Sequence, residues 1–252
     1  MSSDYPPPPP PPPPSYGYGY GYGAPAPQPF DATSAFGFGW KAFWRRPGPF
    51  ALVTLLIGLV TFALSVRGGL TGSSADVSPN DNPLTIWWQS SIGGLTGTSL
   101  LFSVLGILVN GFLNAALVRG ALDTVDGRQV TVGSMFTRWD RGQVLLAAVI
   151  VGAMLWAGSL LCLLPGLVLA FLTWFAAFFV VDRRVRAWDG ITASFRFTGR
   201  NVGHCLLCGL LAFLFIVVGT LACLVGLLAA WPMVVLAGAY AFRRLHSEPV
   251  VA

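Results

Sequence analysis

Few side chains in this sequence stand where they could do chemistry. The most polar ones inside a long apolar run are Asn110 and Asn114, which are four residues apart and therefore share one face of a helix. Two amides on one face could line a polar or lipid-lined path through a membrane. They could also form hydrogen bonds between helices, each worth about 0.6–2 kcal/mol in lipid. We favour the helix-packing interpretation.

Cysteine and histidine offer a second set of candidates. His204, Cys205 and Cys208 resemble part of a metal site, but structural zinc normally takes four ligands and no matching pair stands elsewhere in the sequence. Cys162 and Cys223 could meet near an outer turn, but we favour simple packing as the explanation for them. We therefore expect no metal site, no cofactor and no disulfide framework.

Catalytic motifs give no support for an enzyme. The sequence has no Ser-His-Asp, HExxH or Walker signature, and no GxGxxG in its proper context. No Asp, Glu, Lys or Arg falls inside a predicted membrane span, whereas ion-coupled transporters and proton relays usually need such residues there. We predict that the protein is not an enzyme and has no catalytic residues.

The composition is that of a membrane protein. Hydrophobic residues make up 54% of the chain and charged residues only 10%, against about 25% charged in an average soluble domain. The apolar runs predict an all-α polytopic protein with six transmembrane helices, each near the roughly 17–25 residues that a span requires. The predicted spans cover about residues 50–66, 99–118, 144–163, 167–181, 204–222 and 225–242.

An internal repeat organises these spans. Phe136 aligns with Phe197, Gly158 with Gly219 and Cys162 with Cys223, always 61 positions apart. The spans therefore form three hairpins, each preceded by a cytoplasmic interfacial amphipathic helix, and residues 31–118 form a looser copy. We expect tight turns at Leu164–Gly166 and near Cys223–Gly226.

Helical spacing assigns an apolar face to each amphipathic stretch. Thr131 is a plausible N-cap for the second of them. The expected faces are Trp40, Phe43 and Trp44 in the first stretch, Val132, Met135, Phe136 and Trp139 in the second, and Val185, Trp188, Thr192 and Phe195 in the third.

Basic residues set the predicted orientation. With six spans, every Lys and Arg except Arg67 falls on one side, which the positive-inside rule makes cytoplasmic. We expect a multi-pass protein of the cell membrane with both termini in the cytoplasm. Arginines beside the spans could also contact anionic lipid headgroups. The candidates are Arg45, Arg46, Arg138, Arg141, Arg186, Arg196 and Arg200.

The N-terminal residues differ in composition from the rest. Residues 1–30 contain nine consecutive prolines, Pro6 to Pro14, followed by alternating Tyr and Gly. We predict a disordered, proline- and glycine-rich cytoplasmic tail. It could bind a cytoplasmic protein partner or be a solvated tail without one. The predicted membrane domain covers residues 31–246, and residues 247–252 form a short cytoplasmic tail.

Two segments carry a family resemblance. Residues 38–47 (FGWKAFWRRP) and 182–201 (DRRVRAWDGITASFRFTGRN) resemble the uncharacterised proline- and glycine-rich integral membrane proteins of actinobacteria. More distantly, the chain is similar to the membrane domain fused to some bacterial glycerophosphodiester phosphodiesterases. The resemblance covers about residues 36–245 and implies no activity, since the phosphodiesterase catalytic domain is absent from this sequence.

Two hypotheses of function follow. The first is a non-enzymatic scaffold or partner-binding component of the plasma membrane, acting through the tail. The alternative is a small-molecule or lipid transporter, or a lipid-handling protein, using Asn110 and Asn114. Neither requires nucleic acid, because the basic residues are explained by membrane topology.

Overall fold

The computed structural model describes residues 31–71, 82, 97–161, 163–248 and 250. The predicted tail over residues 1–30 lies outside this part of the chain, as do Cys162 and most of the connector between the first two predicted spans. The helices of the described part are α1 (Ala32–Arg45), α2 (Pro47–Thr71), α3 (Gly97–Val125), α4 (Val132–Met135), α5 (Arg141–Leu161), α6 (Leu163–Thr173), α7 (Ala176–Arg183), α8 (Ala187–Arg200), α9 (Val202–Leu221) and α10 (Cys223–Leu245).

The described residues contain no strand, and six helical segments are long and apolar enough to cross a membrane. Five of these segments lie in α2, α3, α5, α9 and α10. The remaining one runs from Leu164 to Arg183 and consists of α6 and α7 together. The prediction of an all-α protein with six transmembrane helices is confirmed.

We call the end of the bundle that carries most of the lysines and arginines the basic end. At this end two of the helices are longer than the sequence predicts. α3 continues past the expected boundary at Val118 to Val125, and α10 continues past Phe242 to Leu245. These added turns carry buried charged residues, including Arg119 and Asp123. The prediction that the spans hold no charged residue is therefore wrong at this end. The helices continue because each buried charge has an opposite charge beside it.

The two tight turns also differ from the prediction. Pro165 and Gly166 belong to the first turn of α6 instead of forming a turn. Proline is tolerated there, since the N–H that it lacks would have no partner in a first helical turn. In the second hairpin the helices separate at Ala222, one residue before the expected segment.

The span predicted over residues 167–181 is interrupted. α6 ends at Thr173 and α7 begins at Ala176, so that Trp174 and Phe175 form a break between them. The Ser194 hydroxyl donates to the Leu172 carbonyl oxygen at 2.6 Å beside this break. α8 is thus fastened to the point where the span loses its regular hydrogen bonds.

Only part of the face predicted for the first amphipathic stretch is buried. In α1, Phe43 is buried, but Trp40 and Trp44 are 52% and 58% exposed. α1 buries Phe36 and Gly39 instead, and Gly39 lies against Met233 and Ala237 of α10. The small residue lets the two helices approach closely, which is typical of packing inside membranes.

The second stretch keeps its predicted face, because Met135 and Trp139 are buried and Val132 and Phe136 are half-buried, whereas the third stretch does not. α4 is a single turn, capped by Thr131, with Met135 buried below it. The face predicted for the third stretch is not the buried face of α8. Trp188 is 61% exposed, and the other predicted residues, Val185, Thr192 and Phe195, are only half-buried. The buried residues of α8 are Ala187, Gly190, Ile191, Ser194, Phe197 and Thr198.

An aromatic core lies at the basic end of the bundle. Phe242 is fully buried, and its ring centroid lies between 5.0 and 6.4 Å from those of its four phenylalanine neighbours. These neighbours are Phe175, Phe178, Phe179 and Phe197. The core joins α7, α8 and α10 directly beneath the charged residues described next.

Candidate functional site

Eight charged side chains meet where α3, α7 and α10 end. We call them the ionic cluster. Its four cations and four anions are Arg119, Arg128, Arg183, Arg243, Asp123, Asp126, Asp182 and Glu248. Because the formal charges balance, the cluster can be buried without a net charge.

Arg243 lies at the centre of the ionic cluster. Its two terminal nitrogens donate to the two carboxylate oxygens of Asp182, both at 2.8 Å. Its Nε donates to Asp126 at 3.1 Å, and one terminal nitrogen also donates to Glu248 at 2.6 Å. Bidentate pairing of this kind matches the planar guanidinium and fixes its orientation.

Asp123 is the second centre of the ionic cluster. It accepts from Arg119, one helical turn earlier on α3, at 2.8 Å and from Arg128 at 3.2 Å. Asp123 is only 2% exposed and Arg119 7%. The α3 end is therefore held to the loop that follows it by paired buried charges.

Glu248 joins the C-terminal segment to the ionic cluster. It accepts hydrogen bonds from both Arg183 and Arg243. Burial raises the pKa of Glu248, but the hydrogen bonds and charges of these two arginines outweigh burial and hold the pKa below its usual value of 4.5. The carboxylate form is therefore favoured in the folded protein.

The structure places Asn110 and Asn114 in contacts between spans. Asn114 Oδ1 accepts from the Trp231 indole N–H of α10 at 3.1 Å, and Asn110 Oδ1 accepts from the Thr61 hydroxyl of α2 at 3.3 Å. The Asn114 amide also donates to the Asn110 carbonyl oxygen, at 2.9 Å. These geometries are those of helix-packing hydrogen bonds, the interpretation favoured from the sequence.

The arginines expected at lipid headgroups are all exposed. Three of them, Arg138, Arg141 and Arg186, lie in two segments that contact each other. Arg184 Nε donates to the Arg138 carbonyl oxygen at 3.2 Å, and Gln143 Oε1 accepts from the Ala187 N–H at 3.0 Å. The other four lie outside these two segments. Arg45 and Arg46 are at the end of α1, and Arg196 and Arg200 are in the second half of α8.

Cys205 and Cys208 line a small apolar cleft between α1, α6, α9 and α10. Phe36, Phe171 and Trp174 form its aromatic wall. The cavity volume is about 20 Å³, which is room for about one water molecule. No group of three or more His, Cys, Asp or Glu in the described part of the chain is arranged to hold a metal ion.

The ionic cluster is the feature that sequence reasoning missed. We interpreted its arginines as topology signals and gave their acidic neighbours no role. The sequence does contain a signal, since Arg119 and Asp123 stand four residues apart at the end of a long apolar run. Asp182 carries no such signal for its bond to Arg243, which is 61 residues away, and Glu248 follows Arg243 by five residues, a spacing outside the helical i, i+4 pattern.

Comparison with known proteins finds mycobacterial relatives. The chain is 31% identical over 200 residues to an uncharacterized protein of Mycobacterium tuberculosis (strain ATCC 25618 / H37Rv) and to one of Mycobacterium bovis. The match covers 79% of this chain and 58% of each relative, so the chain spans less than two thirds of their length. These relatives agree with the actinobacterial resemblance. No protein-family description and no solved structure matches the chain.

Proposed function

We propose that the protein is a non-enzymatic component of the plasma membrane that holds a partner-binding tail at the cytoplasmic surface. The observation that carries this proposal is the attachment of α1 to the bundle. Asp31, the first described residue after the tail, caps α1 through the Thr33 N–H at 3.0 Å. Gly39 then packs directly against α10. The proline-rich tail is thus tethered to a well-packed anchor.

The polar groups of the spans support an anchor more than a pathway. Asn110 and Asn114 bond to neighbouring spans, and Thr54 and Thr173 donate to carbonyl oxygens of their own helices. Side chains committed to helix packing are not free to bind a passing solute. The recognition chemistry that remains is in the tail, where consecutive prolines and tyrosines suit aromatic-lined grooves of cytoplasmic partners.

The orientation is part of the proposal. The exposed arginines of α1 and α8 lie at the same end of the bundle as the ionic cluster. The positive-inside rule assigns an end rich in arginine to the cytoplasm. A single cysteine introduced near residue 31, in a variant whose four native cysteines are replaced by alanine, would then react with a membrane-permeant maleimide and resist an impermeant one in intact cells. Reaction with the impermeant reagent would contradict the proposed orientation and place residue 31 outside the cell.

The alternative function is a transporter or lipid-handling protein. The apolar cleft beside Phe36 and Trp174 is the observation in its favour, since aromatic walls suit an acyl chain. The small cavity volume makes this the second choice. A defined lipid retained in the purified protein, without any specific protein partner, would favour this alternative.

Crosslinking and purification from native membranes test the proposal. The full chain is compared with a chain starting at Asp31, and with a variant in which Pro6–Pro14 are replaced by nine serines. We expect specific proteins to be recovered with the full chain and lost from both variants. The serine variant keeps the tail length and controls for exclusion by bulk. Identical recovery with all three chains would refute the tail as the binding element.

A further inference from the structure

Four exposed arginines lie in two segments at the ends of adjacent spans. Arg138 and Arg141 precede and begin α5, while Arg184 and Arg186 lie between α7 and α8. We call these four residues the arginine cluster. The cluster does not involve the tail, so it is independent of the proposed function.

Two hydrogen bonds hold the segments of the arginine cluster together. The Arg184 side chain donates to the Arg138 carbonyl oxygen, and the Ala187 N–H donates to the Gln143 side chain. Arg138 and Arg184 have φ angles of 68° and 52°, in the left-handed region that residues with a side chain rarely adopt. The fold keeps arginine at both unusual positions and places them side by side.

The positive charge of the arginine cluster is poorly compensated. Within the described ranges, none of its four arginines forms an ion pair with a carboxylate. Asp140 and Asp189 are the acids in or beside these segments. The Asp140 carboxylate accepts from the Gly142 and Gln143 N–H groups at the start of α5, and Asp189 lies in the first turn of α8. The neighbouring Arg183 belongs instead to the ionic cluster.

The depth of the arginine cluster is set by the spans. Arg141 is the first residue of one membrane-spanning segment, and Arg184 directly follows the last residue of another. Trp188 lies just beyond and is 61% exposed. Tryptophan is enriched at the level of lipid headgroups, where its ring is in apolar surroundings and its N–H can reach polar ones.

We propose that the arginine cluster binds the phosphate of an anionic phospholipid, with Trp188 beside the headgroup. Guanidinium groups pair with phosphate oxygens through two parallel hydrogen bonds. Four of them without carboxylate partners at headgroup depth are complementary to a negatively charged lipid. A zwitterionic lipid brings its own positive charge and fits this site less well.

The test is lipid selectivity of the full chain reconstituted in nanodiscs of mixed phosphatidylglycerol and phosphatidylcholine. After mild detergent exchange, the ratio of the two retained lipids is measured by mass spectrometry. The site variant is R138N/R141Q/R184N/R186Q, because asparagine tolerates the left-handed backbone. The matched control is R45Q/R46Q/R196Q/R200Q, which removes the same charge from the other arginines predicted near headgroups and so distinguishes the arginine cluster from basic surface charge in general.

We expect the preference for phosphatidylglycerol to fall by about tenfold in the site variant and by less than about twofold in the control. Equal losses in the two variants would show a general surface-charge effect and overturn the proposal, as would unchanged selectivity in the site variant. If the site variant does not fold, R141Q/R186Q, which leaves both left-handed positions intact, should lose about threefold. Displacement of the lipid by inorganic phosphate at a similar concentration would also contradict a lipid site.

Discussion

Arg243 and Asp182 form a bidentate ion pair that joins the ends of two membrane spans 61 residues apart. Both side chains are about 10% exposed. Asp126 and Glu248 contact the same guanidinium from the α3 end and from the C-terminal segment. One arginine therefore connects three carboxylates that would otherwise repel one another in partly buried surroundings.

Replacing Arg243 should strongly destabilise the bundle. In the Arg243→Gln variant the carboxylates lose their shared counter-charge while remaining partly buried, and breaking a buried pair costs about 3–5 kcal/mol. Thermal unfolding of the detergent-purified protein measures the effect. Arg244→Gln is the matched control, since Arg244 is exposed and should cost less than about 1 kcal/mol. Equal melting temperatures for the two variants would contradict a stabilising role of the ionic cluster.

The ion pairs of Glu248 should make the folded protein less stable in acid. Its folded-state pKa is held below 4.5, so its ion pairs contribute fully above the pKa of the unfolded chain and are lost as pH falls through the lower, folded value. We expect Glu248→Gln to lower the melting temperature at pH 7 and to flatten the fall in stability below about pH 4.5. Melting temperatures of both proteins between neutral pH and acid give the comparison. Parallel curves would contradict the assignment.

The number of spans could be predicted from the sequence, because long uncharged runs have few alternatives to a membrane helix. The exact ends could not. At Arg119 and Asp123 the sequence shows charges, and charges ordinarily mark the end of a span. Only the partners that the fold supplies make it possible to keep these residues buried and helical.

The faces of the amphipathic helices were harder to predict for a related reason. Hydropathy assigns large aromatic residues such as Trp44 and Trp188 to the packed side. In a membrane protein the outside is also apolar, and close helix packing selects small residues such as Gly39 and Gly190. The position of Asn114 on a span could be predicted, whereas its partner Trp231 depends on which spans are neighbours.

Removing the amides should separate helix packing from a transport pathway. Asn114→Leu loses the hydrogen bond to Trp231 and leaves its indole N–H without that acceptor, so we expect a cost of about 0.6–2 kcal/mol in unfolding free energy. Asn110→Leu should cost less, because its bond to Thr61 is longer and more exposed. Thermal unfolding of each single variant checks this order. A double variant that keeps its stability but loses lipid binding or transport would instead support the pathway.

Glycine contacts at the second hairpin lead to the last prediction. A side chain at Gly226 would meet the Gly219 carbonyl oxygen of the preceding span, and its Cβ would also lie 2.7 Å from that of Ala222. These are backbone and short side-chain atoms that cannot rotate away, so Gly226→Ala should destabilise the protein by about 1–3 kcal/mol. Gly58→Ala is the matched control, because Gly58 lies in α2 with no atom within 4 Å of an added Cβ. There alanine should be neutral or stabilise the helix by up to about 1 kcal/mol. Thermal unfolding in the same detergent compares the two, and a stabilised Gly226→Ala variant would mean that the hairpin is less tightly closed at this point.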